Sequence, residues 1–254
     1  MYEFQYHKAV SIDDVKEKLS SSDDPKLMAG GMTLIPTMKQ RLASPSDIID
    51  LGNISELNGI QKKDENIVIG SMTKHYEVNS SELINKEIPS LSYLAGLIGD
   101  PMVRHRGTIG GSLANSDPSA DYPSSVMGLG ATIITDKREI TSEDYFIDLF
   151  ETALEEDEII KQVKYPIPKR SAYMKFPQPA SRYALVGVFV AETLSGKIRV
   201  GVTGAGPCAF RSKELEDALN SNFSAQSIEN VKIESENLNS DIHASAEYRA
   251  HLIK

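Results

Sequence analysis

Two glycine pairs, Gly30-Gly31 and Gly110-Gly111, constrain this chain more than any other feature. The first follows Lys26-Leu27-Met28-Ala29, a short apolar strand candidate. It precedes Thr33 to Leu42, whose pattern predicts a helix with Pro36 tolerated in its first turn. A strand that runs into two glycines and then a helix leaves several backbone N–H groups pointing into one concavity, where they suit an anionic phosphate. Glycine is needed there because a Cβ would block a left-handed backbone and the close approach of ligand oxygens. Thr33 adds a hydroxyl donor. For one such pair taken alone, a tight strand-to-helix turn is the competing reading.

The second pair lies in a stretch from Gly99 to Pro123 that holds more Gly, Ser, Asn, Asp and Pro than an ordinary loop needs. Thr108 and Ser112 flank the glycines, and no charged side chain occurs from Gly107 to Ser116. Ile109, Leu113 and Ala114 are apolar residues for which a solvated loop has no use. A phosphate here would be held by neutral dipoles, with Asp121 downstream as an acceptor for ribityl or ribose hydroxyls. Neither pair matches G-x-G-x-x-G or a phosphate loop ending in Gly-Lys-Ser/Thr.

Composition removes several function classes. The formal net charge is −9, with Lys and Arg spread along the 254 residues, which argues against nucleic-acid binding. A single cysteine, Cys208, excludes an internal disulfide framework and a thiolate-ligated iron–sulfur cluster. No apolar run approaches the roughly 20 residues of a membrane helix, and Met1-Tyr2-Glu3-Phe4 lacks a signal-peptide pattern. The expectation is a soluble cytoplasmic protein with no membrane insertion.

Other candidates are weaker. His75 and His105 suit metal ligands or a cofactor attachment point, but no second ligand stands at metal spacing, so surface or capping roles are expected and no metal site. Arg104 and Arg106 suit a phosphate, a partner subunit or a plain salt bridge. Glu155-Glu156-Asp157-Glu158 reads as a solvated turn. No Ser-His-Asp or Cys-His arrangement is present, so no catalytic residue is assigned.

Ser11 and Asp14 predict a capped helix to about Leu19, and Asp47 to Leu51 predicts a strand, giving a β–Gly-Gly–α–β unit. A hairpin is expected around Gln61 to Glu65, and helices over 74–83, 90–98 and 124–129. A strand is expected over 131–135. Tyr165 to Arg170, with two prolines, marks a boundary. Beyond it, strands are expected over 172–176, 183–193 and 197–203, then helices over 212–219, 224–233 and 244–253.

Ala29-Gly30-Gly31-Met32-Thr33-Leu34-Ile35-Pro36, Arg41-Leu42, Ile48-Ile49-Asp50-Leu51, Thr108-Ile109-Gly110-Gly111-Ser112 and Asp117-Pro118-Ser119-Ala120-Asp121 together resemble the FAD-binding medium subunit of molybdenum hydroxylases. That family includes aerobic carbon monoxide dehydrogenase, xanthine dehydrogenase and aldehyde oxidoreductases. The likeness extends over essentially the whole chain, through Gly201 to Pro207, Arg211 and Tyr248-Arg249. It departs at Ser112, where many members carry Asn or Asp. Cys208 standing alone excludes the extra iron–sulfur loop of the hydroxybenzoyl-CoA reductase branch.

The resemblance implies an α+β fold. A two-part FAD-binding domain (PCMH-like, 1–165) would comprise a small β–α–β part (1–55) and a larger mixed part (56–165). A C-terminal domain (166–254) would follow, with a small antiparallel sheet plus helices. FAD would lie between them, with Ala29, Gly30, Gly31, Met32, Thr33, Thr108, Ile109, Gly110, Gly111 and Ser112 at the diphosphate and Asp121 on a cofactor hydroxyl. Ile160 matches an apolar position near the adenine, and Lys175 and Tyr183 match residues near the isoalloxazine. Tyrosine suits stacking and lysine suits a reduced, anionic flavin. Residue chemistry alone leaves Tyr183 as a core aromatic and Lys175 as a surface lysine.

The resemblance further implies a large molybdopterin-binding subunit and a small iron–sulfur subunit as partners, arranged as a dimer of heterotrimers. Electrons would pass from iron–sulfur clusters through FAD to an external acceptor. A stand-alone FAD oxidoreductase and a non-enzymatic nucleotide-binding module are the alternatives.

Overall fold

The computed structural model describes residues 1–254. Strand β1 (Gln5–Lys8) is followed by helix α1 (Ile12–Ser21). Ser11 caps α1 by accepting from the Asp14 N–H at 3.1 Å, and the Asp14 carboxylate reaches back to the Val10 N–H at 2.9 Å. Strand β2 (Pro25–Met28), helix α2 (Leu34–Lys39) and strand β3 (Asp47–Asp50) complete this part. β3 lies between β1 and β2 and pairs parallel with both. β1 is invisible in the sequence because Gln5-Tyr6-His7-Lys8 has no apolar alternation. Pairing with β3, and a His7–Asp47 contact at 2.6 Å, hold it in place.

Strands β4 (Ile60–Lys63) and β5 (Asn66–Gly70) form the expected hairpin. The single helix expected over 74–83 is instead α3 (His75–Ser80) and α4 (Glu82–Glu87), because Ser81 ends one and caps the other. Helix α5 (Pro89–Gly96) follows. The Gly-rich stretch then holds α6 (Pro101–Arg106) and α7 (Ile109–Asn115), and opens α8 (Tyr122–Leu129). Its Asp, Thr and Ser residues supply caps: Asp100 accepts from Val103, and Thr108 accepts from Gly111. Ser116 closes α7 in the left-handed region, at φ 45°.

Strands β6 (Thr132–Thr135) and β7 (Glu139–Thr141), the short helix α9 (Ser142–Tyr145), the strand pair β8 (Phe146–Asp148) and β9 (Glu151–Thr152), and strand β10 (Ile160–Pro166) follow. An antiparallel sheet runs in the order β4-β5-β10-β6-β7. Its central strand β10 escapes sequence reading because a bulge between Ile160 and Gln162 breaks the period of two, leaving Ile160, Val163 and Tyr165 as the buried set. Pro166, which ends β10, and Pro168 pass the chain to a second antiparallel sheet, β11 (Arg170–Pro177), β12 (Ala184–Glu192), β13 (Ile198–Thr203) and β14 (Phe210–Arg211).

Helices α10 (Lys213–Ser221), α11 (Ala225–Ile228) and α12 (Ala246–Ile253) end the chain. α11 is shorter than expected, since Val231 and Ile233 recur at a spacing of two and pack from irregular chain. In α12, Arg249 donates to the Leu185 and Gly204 carbonyls at 2.7 and 2.9 Å and to Asp241 at 2.7 Å, which ties the C-terminus to the sheet.

α8 is buried along its whole length, packed on β12 and β13 and also touching β10. Glycine at 201 permits this: a Cβ there would stand 2.1 Å from the Ser124 carbonyl oxygen. The main core therefore runs continuously from Ile133 and Val163 through Tyr122 to Tyr173 and Phe189. The arrangement is mixed α and β with antiparallel sheets, as expected.

Candidate functional site

A cleft of about 840 Å³ opens between the β1–β3 sheet, the Gly-rich helices and the β11–β12 loop. Cavities of that size hold cofactor-sized ligands. Both glycine pairs line it, because each loop carries the other. A Cβ on Gly30 would lie 2.1 Å from the Arg106 carbonyl oxygen and 2.8 Å from the Gly107 Cα. Gly31 takes φ +72°, a conformation that disfavours side chains. A Cβ on Gly111 would meet that of Ala29 at 3.3 Å. At Gly30 the need for glycine thus comes from backbone packing, where the sequence suggested ligand approach.

The two loops differ in what they offer. The N–H groups of Gly30, Gly31, Met32 and Thr33 donate to no acceptor in the protein. In the second loop, by contrast, Ile109 donates to Thr73, Gly110 to Ser71 (2.8 Å) and Gly111 to the Thr108 hydroxyl (3.1 Å). The row of free backbone donors expected at both pairs exists only at the first. The second contributes shape and the Ser112 side chain, which lines the cleft. Gly30 and Gly31 are partly buried, where an unmade N–H bond is costly, while Met32 and Thr33 are exposed. Four in succession on a cleft wall suit an anionic ligand, and this is the observation that fits an FAD diphosphate.

Of the residues singled out from sequence, Ala29, Gly30, Gly31, Met32, Thr33, Thr108, Gly110, Gly111, Ser112, Asp121, Ile160 and Tyr183 line this one cleft. Ile109 does not: it is fully buried and belongs to the main core. Lys175 lies one layer behind the wall, its side chain only 4% exposed, and not at the surface. Its Nζ donates to Asp121 Oδ2 at 3.0 Å, stands 2.9 Å from Oδ1, and reaches the Leu97 carbonyl at 3.2 Å. The Tyr173 hydroxyl donates to Asp121 Oδ1 at 2.6 Å. Burial raises the Asp121 carboxyl above its ordinary value, with Lys175 and Tyr173 opposing. Tyr183 is half exposed in the β11–β12 loop beside Arg182, whose φ is +64°. Burial, then Asp117 and Asp121, raise its phenol.

Sequence reasoning missed or misread other lining residues. His75 is no surface histidine: it is 4% exposed, next to Gly107. His105 does lie outside, its ring 4.4 Å from that of Tyr76. Arg104 closes no salt bridge and donates instead to the Ile98 carbonyl at 2.9 Å. No cluster of three or more His, Cys, Asp or Glu converges on a metal site.

Within the acidic run, Glu158 is not solvated. Its side chain is fully buried, accepts two bonds from Arg138 at 3.0 Å, and takes others from Thr135 and the Glu155 N–H. Arg138 stands twenty residues upstream, so no local pattern announces the pair. It holds the Glu158 carboxyl down to about 2, against an ordinary 4.5. The folded value lies below the unfolded one, so the stabilisation is complete above pH 4.5 and is lost as pH falls towards 2. Glu158→Gln is expected to cost about 1–2 kcal/mol at neutral pH, discounted because solvent reaches Arg138. The variant should also lose less stability than wild type between pH 4.5 and 2 in thermal melts, and parallel acid profiles would refute the assignment.

Comparisons with known proteins place relatives around this geometry. The sequence profile of the "FAD binding domain in molybdopterin dehydrogenase" matches residues 2–168. The nicotine 6-hydroxylase medium subunit of Paenarthrobacter nicotinovorans is 33% identical over 98% of this chain and 93% of its own length. The glyceraldehyde dehydrogenase medium chain of Sulfolobus acidocaldarius is 30% identical over 99% and 95%. Among solved structures, a chain of reconstituted CO dehydrogenase from Oligotropha carboxidovorans superposes with a TM-score of 0.92 at 30% identity, covering 99% of this chain and 93% of that one.

Proposed function

The chain belongs to the family of FAD-binding domains in molybdopterin dehydrogenases, and from that premise we propose that it is the electron-transfer subunit of a molybdenum-containing hydroxylase. In this reading it works beside a large molybdopterin-binding subunit and a small iron–sulfur subunit, as the names of its relatives, medium subunits and medium chains, suggest. When bound, FAD supplies the redox chemistry, accepting electrons that originate at the iron–sulfur clusters and delivering them to an external acceptor.

The observation that carries the cofactor assignment is the run of unpaired N–H groups from Gly30 to Thr33, opposite Ser112 on the same cleft. Those donors would hold the diphosphate without bringing a full positive charge near it. Asp121 keeps acceptor capacity beyond Tyr173 and Lys175, since a carboxylate offers about four lone-pair sites, and would take a cofactor hydroxyl. Ile160 supplies an apolar wall for the adenine, and Tyr183 a half-exposed aromatic cover for the flavin ring. No residue needs to move a proton to or from an organic substrate. We read 1–165 and 166–254 as the two domains that share the cleft, joined by the core around α8.

The test is an absorbance spectrum of the purified chain before and after adding FAD. Flavin bands that remain after gel filtration are expected; their absence in both samples would refute the reading. Co-purification with molybdenum- and iron–sulfur-containing chains then separates the subunit role from a stand-alone flavoprotein, which would purify alone with full activity.

A further inference from the structure

His75 is a buried polar group that the arrangement described so far leaves without a task. It lies on the cleft wall, 4% exposed, and its Nδ1 has no hydrogen-bond partner. The hydroxyl of Ser71, also on that wall and 4% exposed, is likewise unpaired. Leaving such groups desolvated and unbonded is costly, so a fold tolerates them where a ligand completes the bonding. Glycine at 107 points the same way. Its φ of −62° suits any residue, yet a Cβ there would stand 2.6 Å from His75 Nε2 and 2.9 Å from Cδ2. Any larger residue would push the imidazole aside and cover it.

We propose that His75 is a further cofactor-binding residue, hydrogen-bonding a polar atom in the flavin half of the bound dinucleotide. This rests on the FAD reading above. The flavin half follows from placement. Gly107 joins His75 to Val103, whose side chain packs on Gly99, and the neighbouring Leu97 carbonyl binds Lys175, the partner of Asp121. These contacts lead from His75 to Asp121, and the imidazole lies 5.3 Å, centroid to centroid, from the ring of Tyr122, the residue after Asp121. Burial, followed by the charge of Arg104, holds the imidazole down to about 4, so it meets the ligand neutral, as one donor and one acceptor.

His75→Phe keeps the ring and removes both nitrogens. For the full chain titrated with FAD and, separately, with ADP, the variant is expected to bind FAD about tenfold more weakly and ADP as tightly as wild type. Its melting temperature without ligand should be equal to or above wild type, because an unpaired buried polar group has been removed. His75→Gln, which restores a donor and an acceptor, should recover most of the FAD affinity and covers the case in which the phenylalanine variant does not fold. Unchanged FAD affinity in His75→Phe overturns the proposal while wild type still binds FAD. Equal losses for FAD and ADP overturn the flavin-half placement. A wild-type chain that takes up no FAD overturns the reading beneath both.

Discussion

Gly30→Ala is expected to weaken FAD binding by at least about 100-fold while leaving most secondary structure intact. The added methyl group would stand 2.1 Å from the Arg106 carbonyl oxygen and 2.7 Å from its carbon, both backbone atoms with little freedom to withdraw. Relief requires the β2–α2 loop to move off the segment leading into Thr108. Such overpacking costs about 1–3 kcal/mol, and the shift carries the unpaired N–H groups of Gly30 to Thr33 away from their common focus. A 100-fold loss is about 2.7 kcal/mol of binding, comparable to losing one or two hydrogen bonds to a charged ligand. Gly111→Ala is the graded comparison. Its methyl would meet the Thr108 hydroxyl at 3.0 Å and the Ala29 side chain at 3.3 Å, contacts that small adjustments relieve. Fluorescence titration with FAD, with circular dichroism as the folding control, checks the pair. Wild-type affinity in Gly30→Ala would sink the account of how the loops are held.

Lys175→Met should destabilise the protein by about 3–5 kcal/mol, the usual consequence of removing one partner from a buried ion pair. The remaining carboxylate of Asp121 is 4% exposed and would keep only the Tyr173 hydroxyl. Burial already raises its proton affinity, and without the lysine it rises further, so the variant is expected to fold with Asp121 protonated. The double variant Asp121→Asn/Lys175→Met removes both charges and should regain much of the loss, giving a large coupling energy in a urea-denaturation cycle. Its FAD affinity separates two roles for Asp121. If the carboxylate holds a cofactor hydroxyl, binding weakens although the fold is restored; if it serves only Lys175, binding survives. A Lys175→Met protein within about 0.5 kcal/mol of wild type would show that the pair does not bear on folding.

The features legible in advance share one property, which is that their cause lies within a few neighbouring residues. Ser11 and Asp14 cap a helix across three positions. The β4–β5 hairpin announces itself through its polar turn, and Gly30-Gly31 through the strand before it and the helix after it. The short helices within 99–123 were harder to read, because the Ser, Asp and Thr residues that cap them are also those that fill loops. The bulge in β10 disguised a central strand by shifting its alternation.

Residue order alone shows two glycine-pair loops with neutral, hydroxyl-bearing flanks and an acidic residue downstream, a pattern from which a phosphate-binding cleft is expected. The tertiary structure sets how the two loops differ. It showed that the first pair keeps its N–H groups free while the second has given its own to Ser71 and Thr108. It also showed that Lys175, behind the wall, pairs with Asp121 on it across 54 residues of sequence, and that His75 lies buried on the same wall. Hydrogen-bond satisfaction and charge pairing at such separations depend on which elements pack together, and no local pattern of residues encodes that.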